Sequence, residues 1–135
     1  MTLNDLEKLA LFQTNNDFDD LEEFTPAISQ YINEGYDRLT MAYDRLHLGE
    51  QKEDGTTPYT KLSNGTDAVA LPDWMHRAIA DYATYMLYRN GNALKQNRGI
   101  PFYQMFEQVR QKAEWDGKNR NAAHFYNLYS NSHPQ

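Results

Sequence analysis

Ile28, Ile32, Gly35, Leu39, Ala42 and Leu46 follow one another at spacings of four, three, four, three and four residues. Only an α-helix brings such positions to one side, so this stripe predicts a long amphipathic helix that needs a partner along its length. Tyr31, Tyr36 and Tyr43 flank the stripe and widen the buried face. Gly35 interrupts it at a cost of about 1 kcal/mol relative to alanine, tolerable where a second helix approaches closely. Thr25-Pro26 marks its start, with a hydroxyl at the N-cap and a proline at the first helical position, where a missing N–H costs nothing. Gly49 is placed to end it.

The other elements follow from the same logic. Thr2 with Asp5 three residues on fits a capping box, and Leu3, Leu6, Leu9 and Ala10 then recur at helical spacing, predicting a first helix from about Asn4 to Gln13. Pro72-Asp73 opens another helix that Gly91 closes. Met75, Ile79, Tyr82, Ala83 and Met86 form one face of it, and Trp74, Ala78, Tyr85 and Leu87 make most of the rest apolar, the pattern of a central helix. Asn92 to Gly99 reads as a polar connector. Pro101 then starts a last helix carrying Phe102, Phe106, Val109 and Ala113, ended by Asp116-Gly117.

Residues 48–71 lack helical periodicity and carry Asp54-Gly55, Pro58 and Asn64-Gly65. A connection this long is seldom idle in a compact domain. Asn64-Gly65 predicts a two-residue hairpin turn that sets Leu62 opposite Asp67, Thr60 opposite Val69 and Pro58 opposite Leu71. Such a ribbon is marginal alone and must pack on the helices or on a partner. The expected fold is therefore mostly α: one domain over residues 1–135, a small bundle of about four helices, with a long loop or β-hairpin between helices 2 and 3 and an extended tail from Lys118.

With 135 residues and no cysteine, the chain is large enough to bury a core without staples. Disulfides, thiolate metal sites and thiol nucleophiles are excluded, and a reducing cytoplasm suits the composition. No apolar run approaches the ~20 residues of a membrane span, and the first residues do not read as a secretory signal. The net charge of −6 is lopsided: residues 1–24 hold seven acids and one base, whereas residues 25–135 hold twelve of each. An acidic arm on a neutral body predicts an interaction element and argues against a general nucleic-acid binder.

Chemistry is sparse. His47, His76, His124 and His133 include no i, i+3 or i, i+4 pair able to grip a metal on a helix. His76 and Asp81 stand five apart, on different sides of a helix. Asp17, Asp19, Asp20, Glu22 and Glu23 lack the glycine and distal glutamate of a calcium loop. No phosphate cradle or nucleophile elbow is present, so neither an enzyme nor a cofactor is expected. The ten tyrosines mostly belong to core stripes. Tyr59, on the ribbon with Lys61 and Leu62, and Phe125, Tyr126 and Tyr129 in the tail lie outside them, where burial comes from the chain's own core or from a neighbour.

The segments Leu71-Pro-Asp-Trp74, Arg89-Asn-Gly-Asn92, Lys95-Gln-Asn-Arg-Gly99 and Phe102-x-x-x-Phe106-Glu107 resemble the small head-tail connector (adaptor) proteins of tailed bacteriophages. Thr2-Leu-Asn-Asp-Leu-Glu-Lys-Leu9 and Tyr31-Ile-Asn-Glu-Gly-Tyr-Asp-Arg38 are also similar to that group, and Pro101 departs from its pattern. The resemblance implies a virion protein of the neck, made in the host cytoplasm, that forms a ring under the portal with its twelvefold symmetry. It would prolong the DNA channel without sequence-specific contact and dock the next neck or tail protein, with residues 48–71 and 118–135 gripping portal or neighbour. Charge segregation adds that Asp17, Asp19 and Asp20 face a basic patch of Arg89, Lys95 and Arg98 on an adjacent subunit or partner. The alternative is a small helical DNA-binding or regulatory protein, with Lys95 and Arg98 as phosphate contacts.

Overall fold

In a computed structural model, residues 1–14, 21–43 and 61–132 are described, with side chains for all of them except 21–26 and 120–132. Four helices form among these residues: α1 (Leu3–Thr14), α2 (Leu21–Tyr43), α3 (His76–Arg89) and α4 (Ala93–Ser132). A 3₁₀ turn, Asp73–Met75, leads into α3, and Met75 donates its N–H to the Pro72 carbonyl at 3.0 Å. The mostly helical class expected from the sequence is present.

The capping box at the start of α1 closes in both directions: Thr2 N–H donates to Asp5 Oδ2 at 3.0 Å, and Asp5 N–H to Thr2 Oγ1 at 3.3 Å. The bond from the Thr2 backbone holds the exposed Asp5 carboxyl below its ordinary pKa. Leu3, Leu6, Ala10 and Thr14 are then buried, on α3 and α2. The stripe of α2 buries Ile28, Ile32, Leu39 and Ala42, and Leu46 lies outside the described residues. Gly35 meets Tyr82 so closely that an added Cβ would sit 3.0 Å from its ring, which explains the glycine as a helix-crossing point. Helix α3 is central, with buried residues around most of its circumference.

Four expectations are corrected. First, α2 begins at Leu21, ahead of Thr25-Pro26. Second, Ala93 to Ile100 is helical, so Pro101 lies inside α4 and starts nothing. An interior proline costs about 3 kcal/mol through its lost hydrogen bond and ring clash. Burial of Phe106 and Ala113 on the same helix, with Phe102 and Val109 packed beside them, offsets that cost. Third, Gly117 does not end the helix. It is buried against the end of α2, where a Cβ would collide with the Tyr43 carbonyl oxygen. Fourth, the segment from Lys118 is not extended, because α4 continues to Ser132.

The hairpin is not found among the described residues, and Thr60 and Pro58 lie outside them. Asn64-Gly65 does turn the chain, but Asn64 is the first residue of the turn: its carbonyl accepts from Asp67 N–H at 2.9 Å. Asp67 Oδ2 accepts from Ser63 and Asn64 N–H, each at 2.8 Å, and closes the turn from the other side. Both backbone groups of Leu62 are taken by one side chain, since its N–H donates to Asn33 Oδ1 at 2.8 Å and its carbonyl accepts from Asn33 Nδ2 at 3.1 Å. Residues 67–69 pair with the N-terminus: Leu3 N–H donates to the Asp67 carbonyl at 2.9 Å, Val69 N–H to that of Met1 at 3.1 Å, and Thr2 forms an antiparallel bridge with Ala68.

Gly117→Ala tests the α2–α4 approach. Helix propensity favours alanine by about 1 kcal/mol, whereas overpacking against a carbonyl costs about 1–3 kcal/mol. The expected outcome is a lower Tm, and a raised one would mean that the two helices are not in backbone contact there.

Candidate functional site

Residues 89–99 build a corner between α3 and α4. Helix α3 ends at Arg89, and Gly91 N–H donates to the Tyr88 carbonyl at 3.0 Å. Asn92 caps α4 through Oδ1, which accepts from Lys95 N–H at 3.1 Å. Gln96 reaches back, its Nε2 donating to the carbonyls of Arg89 at 3.2 Å and Gly91 at 3.1 Å, so the last carbonyls of α3 are satisfied. The Lys95 side chain packs on Gly91. Arg98 follows one turn later, and Arg89 and Arg98 are exposed. Arg89 thus stands at the end of α3, and Lys95 and Arg98 stand in the first turns of α4.

Beside it runs a polar seam between α2 and α3. Asn90 Nδ2 donates to Tyr31 Oη at 2.7 Å, and Tyr82 Oη donates to Glu34 at 3.1 Å. Arg38 lies 5.3 Å from the centroid of the Tyr82 ring. Burial pushes the Tyr82 phenol up to about 12 against the opposing effect of Arg38, so it stays a donor at physiological pH.

An open groove of about 460 Å³ lies between α2 and α4, lined by Arg38, Met41, Ala42, Tyr103, Glu107, Arg110 and Glu114. Arg110 Nε donates to both oxygens of Glu107 at 3.0 and 3.1 Å, and its Nη1 to Glu114 at 3.3 Å. The groove carboxylates are thus engaged by a neighbouring cation, which suits a mixed polar and apolar contact surface. Among the described residues, no group of three or more histidines or acids is placed to hold a metal ion. No described helix is long and apolar enough to cross a membrane.

A buried network joins α1 to α3. Gln13 Nε2 donates to Asp81 Oδ1 at 3.0 Å, and Thr84 Oγ1 donates to Gln13 Oε1 at 2.7 Å. Tyr88 Oη donates to the Thr14 carbonyl at 3.0 Å. Burial raises the Asp81 carboxyl above its ordinary pKa, with the Gln13 bond and Arg77 pulling the other way. His76 has separate partners: its Nδ1 lies 2.7 Å from the Met1 ammonium and its Nε2 2.6 Å from the Leu71 carbonyl. That pairing assigns the proton to Nε2, because an ammonium can only donate.

Of the docking residues expected from the sequence, Arg89, Lys95 and Arg98 share the α3–α4 corner, and Lys61 is exposed. Leu62 is 2% exposed and serves its own core, so it is withdrawn as a partner contact. Asp17, Asp19, Asp20 and Tyr59 lie outside the described residues. Phe125, Tyr126 and Tyr129 fall on the helical backbone of α4, where side chains are not described. Sequence reading missed Asn33, whose two-sided grip on Leu62 has no spacing signature, and Gln13, which meets Asp81 across 68 residues of chain.

No protein-family model matches the chain, and no curated protein or solved structure is significantly similar to it.

Asp81→Asn is expected to stabilise the fold at neutral pH by about 1 kcal/mol, because the Gln13 bond survives while a buried charge disappears. The sign follows from the raised folded-state pKa: Asp81 binds its proton more tightly in the folded chain, so its contribution falls as pH rises above the unfolded carboxylate range. The difference between the two proteins in chemical denaturation should shrink toward zero below about pH 4. A destabilised variant at pH 7 would overturn the assignment.

Proposed function

We propose that this chain is a structural assembly subunit of the head-tail connector (adaptor) type, which forms a ring under a phage portal, extends the DNA channel and docks the next neck or tail protein. The observation that carries the reading is the α3–α4 corner, where the residues shared with the family pattern cap one another and present Arg89, Lys95 and Arg98 together. A ring subunit needs two different surfaces, and this chain offers a basic corner and a separate acidic stretch, Asp17 to Glu23. In this reading the acidic stretch meets the basic corner of an adjacent subunit or partner. Phe125, Tyr126 and Tyr129 serve portal or neighbour, and DNA passes a lumen that does not hold it tightly. Neither catalysis nor a cofactor is part of the role.

The mass of the protein alone and mixed with a portal separates this from the alternative. A complex of many copies with the portal is expected. A salt-sensitive mobility shift of linear duplex without portal binding would instead favour a DNA-binding protein. Neutralising Asp17, Asp19 and Asp20 together should weaken association about tenfold at low salt, since exposed pairs contribute about 0–1 kcal/mol each. Unchanged association at low salt would sink the acidic-to-basic contact.

A further inference from the structure

Asparagine is followed by glycine twice in the chain, at Asn64-Gly65 and at Asn90-Gly91. In such a pair the backbone nitrogen of the glycine can attack Cγ of the asparagine, because no Cβ on the glycine crowds the approach. Ammonia leaves, a five-membered succinimide forms, and water opens that ring to an aspartyl or an isoaspartyl residue. The net change consumes one side-chain amide and one water and yields one carboxylate and one ammonium ion, with no oxidant or cofactor.

Both asparagines are exposed, so access to water does not separate them. Hydrogen bonding does. At Asn90 both reacting groups are engaged: Nδ2 of the side-chain amide donates to Tyr31 Oη at 2.7 Å, and Gly91 N–H donates to the Tyr88 carbonyl at 3.0 Å. The ring also requires the following nitrogen to swing round beside Cβ, and the helical conformation of Asn90, φ −79° and ψ −5°, holds it away. At Asn64 the bonds to Asp67 use the backbone N–H and carbonyl, neither of which is a reacting group. Among the described residues, nothing bonds the Asn64 side-chain amide or the Gly65 N–H. The fold also requires the glycine, since a Cβ at Gly65 would collide with the Asn4 side chain on α1.

The same turn caps α1. Asn4 N–H donates to the Gly65 carbonyl at 3.0 Å and Leu3 N–H to the Asp67 carbonyl at 2.9 Å, so two N–H groups at the start of α1 that have no partner within the helix are satisfied here. An isoaspartyl linkage would route the backbone through Cβ and Cγ of residue 64. That adds a methylene between Leu62, which Asn33 anchors, and the carbonyls that hold α1. We propose that Asn64 is a site of spontaneous deamidation, converting through a succinimide with Gly65 in the folded chain while Asn90 is protected, and that isoaspartate at this position releases the start of α1 from residues 65–67. The modification needs no partner and is independent of the assembly reading.

The test ages the full chain at physiological temperature and mildly alkaline pH, with and without denaturant, and maps its peptides by mass, with enzymatic methylation marking isoaspartate. In the folded chain, conversion at Asn64 should outpace that at Asn90 by about tenfold, because Asn90 must give up two hydrogen bonds to react. In denaturant the two should convert at similar rates. Hydrogen exchange then reads the consequence: the Leu3 and Asn4 amides should lose protection in the isoaspartate-containing fraction. They should keep it in Asn64→Gln aged in parallel, whose longer side chain closes a ring far more slowly. Equal rates at the two sites in the folded chain, a faster Asn90, or a preference for Asn64 that persists in denaturant would overturn the assignment of the site to the fold. Unchanged protection of Leu3 and Asn4 in the isoaspartate fraction would overturn the release of α1.

Discussion

Helix α3 buries side chains around most of its circumference, so each polar group it carries has to find a partner on a neighbouring element or be left buried without one. Those partners come from different directions. His76 is held by the Met1 amine and the Leu71 carbonyl, Asp81 and Thr84 by Gln13, Tyr82 by Glu34, and Tyr88 by the Thr14 carbonyl. The rotation of α3 about its own axis is therefore fixed by polar matches to α1 and α2 and by aromatic packing on α4. Tyr82 meets Phe106 at 4.9 Å between ring centroids, and Tyr88 stacks on Phe102 at 6.2 Å. Apolar burial alone would leave a helix like this free to turn; unsatisfied polar groups would cost about 1–3 kcal/mol each if it did.

With α3 fixed, the geometry of the candidate surface follows. The corner after Arg89 is set by caps at both helix ends, and α4 then packs on both α3 and α2. One side of α4 then packs inward through Phe102, Phe106, Val109 and Ala113. Its opposite side, from Leu94 to Trp115, is presented outward as a direct consequence.

Periodicity was readable wherever a segment's own neighbours decide its structure. The Ile28-to-Ala42 stripe, the Thr2–Asp5 capping box and the central character of α3 could all be read from spacing. What escaped was decided by residues far away. Asn64-Gly65 is a strong local hairpin signal, yet Asn33 takes the Leu62 backbone and the N-terminus pairs with residues 67–69 on the other side. Pro101 and Gly117 are strong local stop signals, yet packing on α3 and α2 carries the helix through both. For the candidate site, Arg89, Lys95 and Arg98 could be placed near one turn because they are close in the sequence. The exposure of Leu94, Met105 and Trp115 could not be read, because no spacing separates them from the apolar positions that α4 buries.

The contacts that hold α1 have an implication for the order of events on the ribosome. Met1, Thr2 and Leu3 bond to residues 67–69 and to His76, and Gln13 bonds to Asp81 and Thr84. Helix α1 is thus without its polar partners until α3 has left the exit tunnel, and closing that loop carries an entropic cost before any contact rewards it. Helix α1 is expected to lock only once α3 is available, although it is synthesised before α3. Until then Leu3, Leu6 and Ala10 have α2 but not α3 to pack on, and a nascent chain stalled before residue 81 would leave them partly open to whatever binds apolar segments emerging from the ribosome.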